Sequence, residues 1–202
     1  MLLDRIAAAA GAGIDAIQLR ERDLNARELV ELGSRAMEIV RRLSAHGAPA
    51  TRLLVNSRVD VAIACDADGV HLRSDDLSAA DARLIFGQAG VSKPLIGVSC
   101  HTVQQVSLAE GHGADFAVYG PVFEKENDDA VPTGVAGLKE ACRRRAAQIP
   151  MPVLALGGVT LSSATDCLKA GAYGIAGIRL FQNGNLTETV LRLRKQGKEL
   201  HR

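Results

Sequence analysis

Residues 151–181 constrain the fold more than any other part of this sequence. A short apolar run at 153–156 predicts a buried strand, and this strand ends in a pair of glycines. A helix is predicted at about 162–169, followed by a second strand at 174–178. A strand, a glycine-rich turn, a helix and another strand together form a parallel βαβ unit. The chain is therefore expected to contain parallel strands joined by helices.

The same alternation of strand and helix runs through the rest of the chain. Seven strands are predicted, at 14–19, 52–56, 69–72, 95–99, 116–119, 153–156 and 174–178. Parallel strands with intervening helices predict an α/β fold. A closed TIM-type (β/α)8 barrel has eight strands, and this sequence begins with a predicted helix. We therefore expect residues 1–202 to form a single (β/α) barrel domain that is truncated at its N-terminus and lacks its first β-strand.

Composition excludes several classes of function. The 202 residues carry a formal net charge of +1, and only 3% are aromatic, which argues against binding nucleic acid or an anionic membrane. The four cysteines are scattered without metal-ligand spacing, as is typical of reduced cysteines in a cytoplasmic protein. No apolar run approaches the ~20 residues of a membrane span. The sequence does not indicate an oligomeric state, and a homodimer is left open.

The loops after the last two predicted strands are candidates for a phosphate site. The glycine pair Gly157 and Gly158 allows backbone N–H groups to approach an anion closely. In (β/α)8 barrels the loops after strands seven and eight commonly bind phosphate, and these are the last two such loops in the chain. The alternative is that the glycines only form tight turns.

Polar side chains also follow the earlier strands. Gln18 and Arg20 share one face of the first strand, and an inward-facing arginine requires an anion from a ligand or from the protein. A pair between Arg20 and either Asp75 or Asp76 is the alternative. Asn56 ends the second strand and is a candidate to bind a heterocycle or, alternatively, to cap the next helix.

Two further strand ends carry groups with metal-binding or catalytic chemistry. Asp75 and Asp76 are candidate Mg²⁺ ligands, although they also suit the start of a helix. Cys100 and His101 are sequence neighbours, so their side chains diverge on a strand and a Cys–His nucleophilic pair is rejected. Ser99 is the better candidate for contact with a ligand.

Several motifs, taken in order, resemble the thiamine-phosphate synthase family and its sister group, the thiazole tautomerases. They are IQLRERDL, LLVNSRVDVAIACDADGVHL, IGVSCHT, GADFAVYGPVF, PVLALGGVT and AGAYGIAGI. The resemblance implies a (β/α)8 barrel that binds thiazole phosphate in thiamine biosynthesis. The synthase joins hydroxymethylpyrimidine diphosphate to thiazole phosphate with Mg²⁺ and releases pyrophosphate, so it must hold two phosphate groups and the metal.

The resemblance also implies roles for individual residues. It assigns the pyrimidine diphosphate to Gln18, Arg20, Asn56 and, in place of a lysine, Arg22, the metal to Asp76, and the thiazole phosphate to Gly158 and the backbone around Ile178, while Ser99 matches a serine of the family pattern. Gly157, the other member of the glycine pair, is a further candidate for the phosphate. Arg179 replaces a small residue beside this phosphate and is expected to strengthen its binding. No catalytic acid or base is identified.

Two departures from the family pattern weaken the expected diphosphate site. Ser57 occupies the place of a second Mg²⁺-binding aspartate. The loop at 124–129 is acidic, and Asp128 stands where the family has a lysine, with Lys125 as a substitute if the loop shifts its register.

Three functions are compatible with these sequence features. The departures favour a synthase-related enzyme with a degenerate diphosphate and Mg²⁺ site, similar to the tautomerases and needing no cofactor. The alternatives are a true Mg²⁺-dependent synthase and a non-catalytic binder or regulator. A sugar-phosphate epimerase is a weaker option, because the paired histidine and acid ligands of such an enzyme are missing.

Overall fold

The computed structural model describes residues 2–45, 50–124, 130–143, 151–182 and 184–200. The chain divides into two compact units, Met1–Ile96 and Gly97–Arg202. The division falls within the strand Leu95–Cys100.

The first unit alternates helices and parallel strands. Its elements are α1 (Leu2–Gly11), β1 (Ala16–Leu19), α2 (Ala26–Ala45), β2 (Arg52–Asn56), α3 (Val59–Ala64), β3 (Gly69–Leu72) and α4 (Ala79–Gln88). Strand β2 lies between β1 and β3, with Leu19 opposite Val55 and Asn56 opposite His71. The carboxyl ends of the three strands therefore lie side by side.

Apolar side chains from strands and helices form the core of this unit. The largest of them, including Leu53, Val70 and Phe86, are fully buried. Gly69 begins β3 where the chain passes very close, because a Cβ atom there would lie 1.9 Å from the carbonyl oxygen of Leu95. Only glycine fits at this point of the strand.

The second unit repeats the alternation. Its elements are β4 (Leu95–Cys100, which begins in the first unit), α5 (Val103–Gly111), β5 (Phe116–Tyr119), α6 (Gly134–Ala141), β6 (Val153–Ala155), α7 (Ala164–Lys169), β7 (Gly174–Ile175), α8 (Arg179–Gln182) and α9 (Leu186–Leu200). The strands pair in chain order, and each pair is parallel. Val122, Leu138 and Cys167 are fully buried in its core.

The seven predicted strands are confirmed within the described part of the chain, with shifts at their ends. Strand β7 has two residues instead of the predicted five, and the short helix α8 begins at Arg179 after three residues without regular structure. Helix α6 spans Gly134–Ala141, and residues 144–150 lie outside the described ranges. Among the described helices, none is both long and apolar enough to span a membrane. A single domain over residues 1–202 stays a prediction.

Candidate functional site

A buried histidine connects the first and third strands of the first unit. The amide nitrogen Nε2 of Gln18 contacts Nδ1 of His71, and the imidazole side chain is only 8% exposed. This contact fixes the Gln18 side chain at the end of β1. The sequence motif contained His71, but sequence reasoning gave it no role.

The electrostatic surroundings keep His71 neutral. Burial, and after it the nearby positive charge of Arg20, lower its pKa from the ordinary value of 6.5 to about 4, against the opposing effect of the Asp76 carboxylate. The influence of Arg20 and Asp76 on one imidazole places all three groups in one electrostatic environment. At neutral pH the ring therefore acts as a hydrogen-bonding group and not as a cation.

The pKa of His71 predicts a loss of stability in acid. The unfolded chain takes up the proton near pH 6.5 and the folded chain only near pH 4, so stability is complete above pH 6.5 and falls between these values. The expected contribution to the free energy of unfolding is about 3 kcal/mol. Urea unfolding from pH 7 to pH 4 measures it, and H71Q should lose this part of the slope. If H71Q and the control H112Q, which changes an exposed histidine, keep the same slope as the unchanged chain, the prediction is wrong.

The end of β2 has an unusual backbone. Ser57 has a φ of 61°, its N–H donates to the carbonyl of His71 at 3.0 Å, and its hydroxyl accepts from Asn56 Nδ2 at 2.9 Å. Helix α3 begins at Val59 with Arg58 as its N-cap residue. The alternative interpretation of Asn56 as a helix cap is therefore wrong.

One arginine holds both neighbouring aspartates. The guanidinium of Arg73 binds Asp75 through two hydrogen bonds, Nε to Oδ1 at 2.9 Å and Nη2 to Oδ2 at 2.5 Å. Its backbone N–H donates to Oδ2 of Asp76 at 2.7 Å, and its Nε lies 3.7 Å from Oδ1 of Asp76. Among the described contacts these carboxylates pair with Arg73 and not with Arg20.

The expected helix start at the two aspartates is also not found. Helix α4 begins at Ala79, and its N-cap is Ser78, whose hydroxyl accepts from the N–H of Asp81 at 3.1 Å. Serine is among the residues preferred at this position. Asp75 and Asp76 lie in the turn before it.

The residues assigned to magnesium do not fit an ion held by the protein alone. Asp76 supplies one carboxylate that already accepts an N–H and faces a guanidinium, and Ser57 supplies a hydroxyl where a second carboxylate is expected. Across the described residues, no group of three or more His, Cys, Asp or Glu side chains is placed to hold a metal ion. Mg²⁺ takes oxygen ligands in octahedral geometry, which these donors do not provide.

In the second unit, two loops are joined at the carboxyl ends of β5 and β6. The N–H of Val122 donates to Leu156 at 2.8 Å, and the N–H of Phe123 donates to Gly157 at 2.9 Å. A Cβ atom at Gly158 would lie 2.4 Å from the carbonyl oxygen of Glu124, and Gly158 has a φ of 64°. The packing of the two loops therefore gives Gly158 a structural reason to be glycine, independent of any anion.

Cys100 and His101, which follow Ser99 at the end of β4, lie in different environments, as expected. Cys100 is fully buried, which raises the pKa of its thiol to about 12, whereas His101 is exposed. The ring nitrogen Nδ1 of His101 donates to the carbonyl of Gly120 at 2.7 Å and so fixes the turn after β5. A thiol with so high a pKa is a poor nucleophile, in agreement with the rejection of a Cys–His pair.

The remaining candidates are placed as follows. Arg20 and Arg22 are exposed just after β1, and Ile178 and Arg179 are exposed at the start of α8. Ser99 is half-buried in β4. Lys125 lies outside the described residues, as does the rest of 125–129. Gln18 contacts His71 of β3, and Asn56 contacts Ser57, which follows it at the end of β2. The phosphate-binding role of the glycine loop stays a prediction.

Comparisons with known proteins agree with this arrangement. A family model described as "Thiamine monophosphate synthase" matches residues 1–181. A thiamine-phosphate synthase of Roseiflexus castenholzii is 40% identical over 177 residues, which cover 87% of this chain and 72% of the relative. A thiamine-phosphate synthase of Methanospirillum hungatei is 43% identical over 165 residues, covering 81% and 74%. A solved thiamine phosphate pyrophosphorylase from Pyrococcus furiosus has a TM-score of 0.80 at 29% identity and covers 98% of this chain and 90% of that chain.

The parallel βα repeats and the structural match define the class: this is an α/β protein of the TIM type, with polar and basic side chains where its strands end. Within that class, the chain belongs to the thiamine-phosphate synthase family. The predicted family and fold class are confirmed. The tautomerase-like interpretation is not supported by these relatives, which carry synthase names.

Proposed function

We propose that this chain is a thiamine-phosphate synthase, which transfers a hydroxymethylpyrimidine group from its diphosphate to thiazole phosphate and releases pyrophosphate. The observation that carries the proposal is the 40% identity, over 87% of this chain, to a relative with that name. This is the alternative from the sequence analysis, and it replaces the tautomerase-like interpretation as our first choice.

The first unit offers groups suited to the pyrimidine diphosphate. Gln18 is held by the buried His71, and the exposed guanidinium groups of Arg20 and Arg22 follow just after the same strand. Guanidinium groups bind phosphate oxygens in pairs and oppose the charge that builds up on departing pyrophosphate. These residues would orient the substrate, and the pyrimidine would leave as a stabilised cation.

We assign the thiazole phosphate to the glycine loop of the second unit and to α8. Gly157 and Gly158 both have positive φ values, which glycine adopts readily, and we assign their backbone N–H groups to the phosphate. Arg179, exposed at the start of α8, would add a charge. A crystal soaked with thiazole phosphate tests this assignment, and a ligand located away from Gly158 and Ile178 would refute it.

A single-turnover assay with both substrates tests the function. We expect thiamine phosphate and pyrophosphate to form in equal amounts. If neither forms, the synthase proposal is wrong, and tautomerisation of thiazole carboxylate phosphate is the next assay. Binding of thiazole phosphate without turnover in either assay would indicate a binder or regulator.

By the resemblance to the family, Mg²⁺ would help neutralise the diphosphate when the substrate is bound. The donors around Asp76 do not fit an ion held by the protein alone, so no step is assigned to it. The four free thiols, of which Cys65, Cys100 and Cys167 are buried, are consistent with the proposed cytoplasmic location.

A further inference from the structure

The cation position next to Asp76 is already taken by a side chain. Arg73 donates to Asp76 from its backbone and lies 3.7 Å from it with Nε, while the same guanidinium binds Asp75 through two hydrogen bonds. Asp76 is the more enclosed of the two carboxylates, with a side chain only 15% exposed. A cation arriving at Asp76 would therefore meet a positive charge that is already present.

We propose that Arg73 supplies the positive charge beside Asp76 that a magnesium ion would otherwise supply, and that it faces the diphosphate of the substrate. The proposal rests on the proposed function for the location of the diphosphate, but its effect on metal binding does not. The Arg73 guanidinium lies 3.7 Å from Asp76, and the charges of Arg20 and Asp76 both act on His71, so two guanidinium groups belong to the surroundings of this strand end. A guanidinium is always charged, so Arg73 can supply positive charge to the diphosphate through its remaining N–H groups while Nε and Nη2 bind Asp75, and it can replace part of the role of a metal ion.

A serine in place of a second metal-binding carboxylate is consistent with Arg73 taking the place of the metal ion. Ser57 provides only a hydroxyl, which already accepts from Asn56, so an ion at Asp76 would lack a second anionic ligand. A divalent ion and a guanidinium about 5 Å apart repel each other enough to weaken metal binding about tenfold even with the screening of water. The substrate-free chain should therefore bind divalent ions weakly.

Binding of Mn²⁺ to the substrate-free chain, followed by electron paramagnetic resonance, tests the first half of the proposal. We expect R73Q to bind Mn²⁺ about tenfold more tightly than the unchanged chain, because the two carboxylates lose their competing cation. The matched control is R52Q. Nη1 of Arg52 lies 2.8 Å from Oδ1 of Asp68, at the opposite end of the strands from Arg73. The Arg52 and Asp68 side chains are 59% and 18% exposed, close to the 50% and 15% of Arg73 and Asp76.

Pyrophosphate binding in buffer freed of metal with a chelator tests the second half. We expect R73Q to bind pyrophosphate about tenfold more weakly than the unchanged chain and R52Q to bind it equally well. The proposal is overturned if R73Q gains no Mn²⁺ affinity, if R52Q gains as much, or if R73Q binds pyrophosphate as well as before.

These outcomes are separate from those of the proposed function. A chain without synthase activity whose R73Q variant shows both shifts would refute the function and keep the inference. A chain with synthase activity whose R73Q variant shows neither shift would keep the function and refute the inference.

Discussion

Replacing Gly158 with alanine is expected to destabilise the chain by about 3 kcal/mol and to lower its melting temperature by roughly 6–12 °C. The new Cβ atom would lie 2.4 Å from the carbonyl oxygen of Glu124 and 2.7 Å from Cβ of Phe123. Because the closest atom belongs to the backbone, the loop must move to relieve the contact. The positive φ of 64° adds a conformational cost for alanine.

Gly113→Ala separates the two causes. Gly113 has a φ of 73°, but no atom lies within 4 Å of the position that a Cβ atom would take, so alanine there meets only the conformational cost. Calorimetry of G158A and G113A gives the comparison. Equal melting temperatures would show that the loop approach at Gly158 is not tight. The thiazole phosphate affinity of G158A should also fall, since displacement of the loop disturbs the amides proposed to hold the anion.

The second large effect is expected at Arg20. Removing this guanidinium by R20Q should lower kcat/KM for the synthase reaction about 100-fold, because charge-assisted hydrogen bonds to phosphate are worth about 1.5–3 kcal/mol each. The loss should appear mainly in kcat if Arg20 acts on the departing pyrophosphate and mainly in KM if it only binds the ground state. R27Q removes an exposed arginine of α2 and serves as the control.

A second measurement on R20Q does not depend on activity. The positive charge of Arg20 contributes to the low pKa of His71, so its removal should raise that pKa from about 4. Nuclear magnetic resonance titration of the imidazole detects the change. An unchanged pKa together with activity within twofold of the unchanged chain would contradict the placement of Arg20 beside His71 and the substrate.

The sequence was sufficient to predict the strands, because the pattern that specifies them is local. Apolar runs such as 52–56 and 116–119 are short, bounded by polar residues or glycines, and separated by helical periodicity. The face of β1 that carries Gln18 and Arg20 also followed from simple alternation, since Leu19 between them is buried. The short β7 and the helix α8 were missed because the apolar residues up to Ile178 suggest a continued strand, although Gly177 interrupts it before Arg179.

The contacts of the candidate site could be predicted only in part, because most of them join residues that are distant in sequence. Gln18 and His71 are 53 positions apart, and the approach of Glu124 to Gly158 joins two separate loops. The pairing of Arg73 with Asp75 is different. These residues are two positions apart in a turn, so the HLRSDD motif already contained the signal that the aspartates have an internal cation.

The left-handed backbone at Ser57 has a consequence for redesign. Aspartate and asparagine occupy this conformation more readily than most residues, and the N–H of Ser57 already donates to His71. An acidic side chain can therefore be introduced at this position without reshaping the main chain. The backbone at Ser57 can therefore carry a second carboxylate. Conversion to a more metal-dependent enzyme would begin with the removal of the Arg73 cation and the addition of an acidic side chain at position 57.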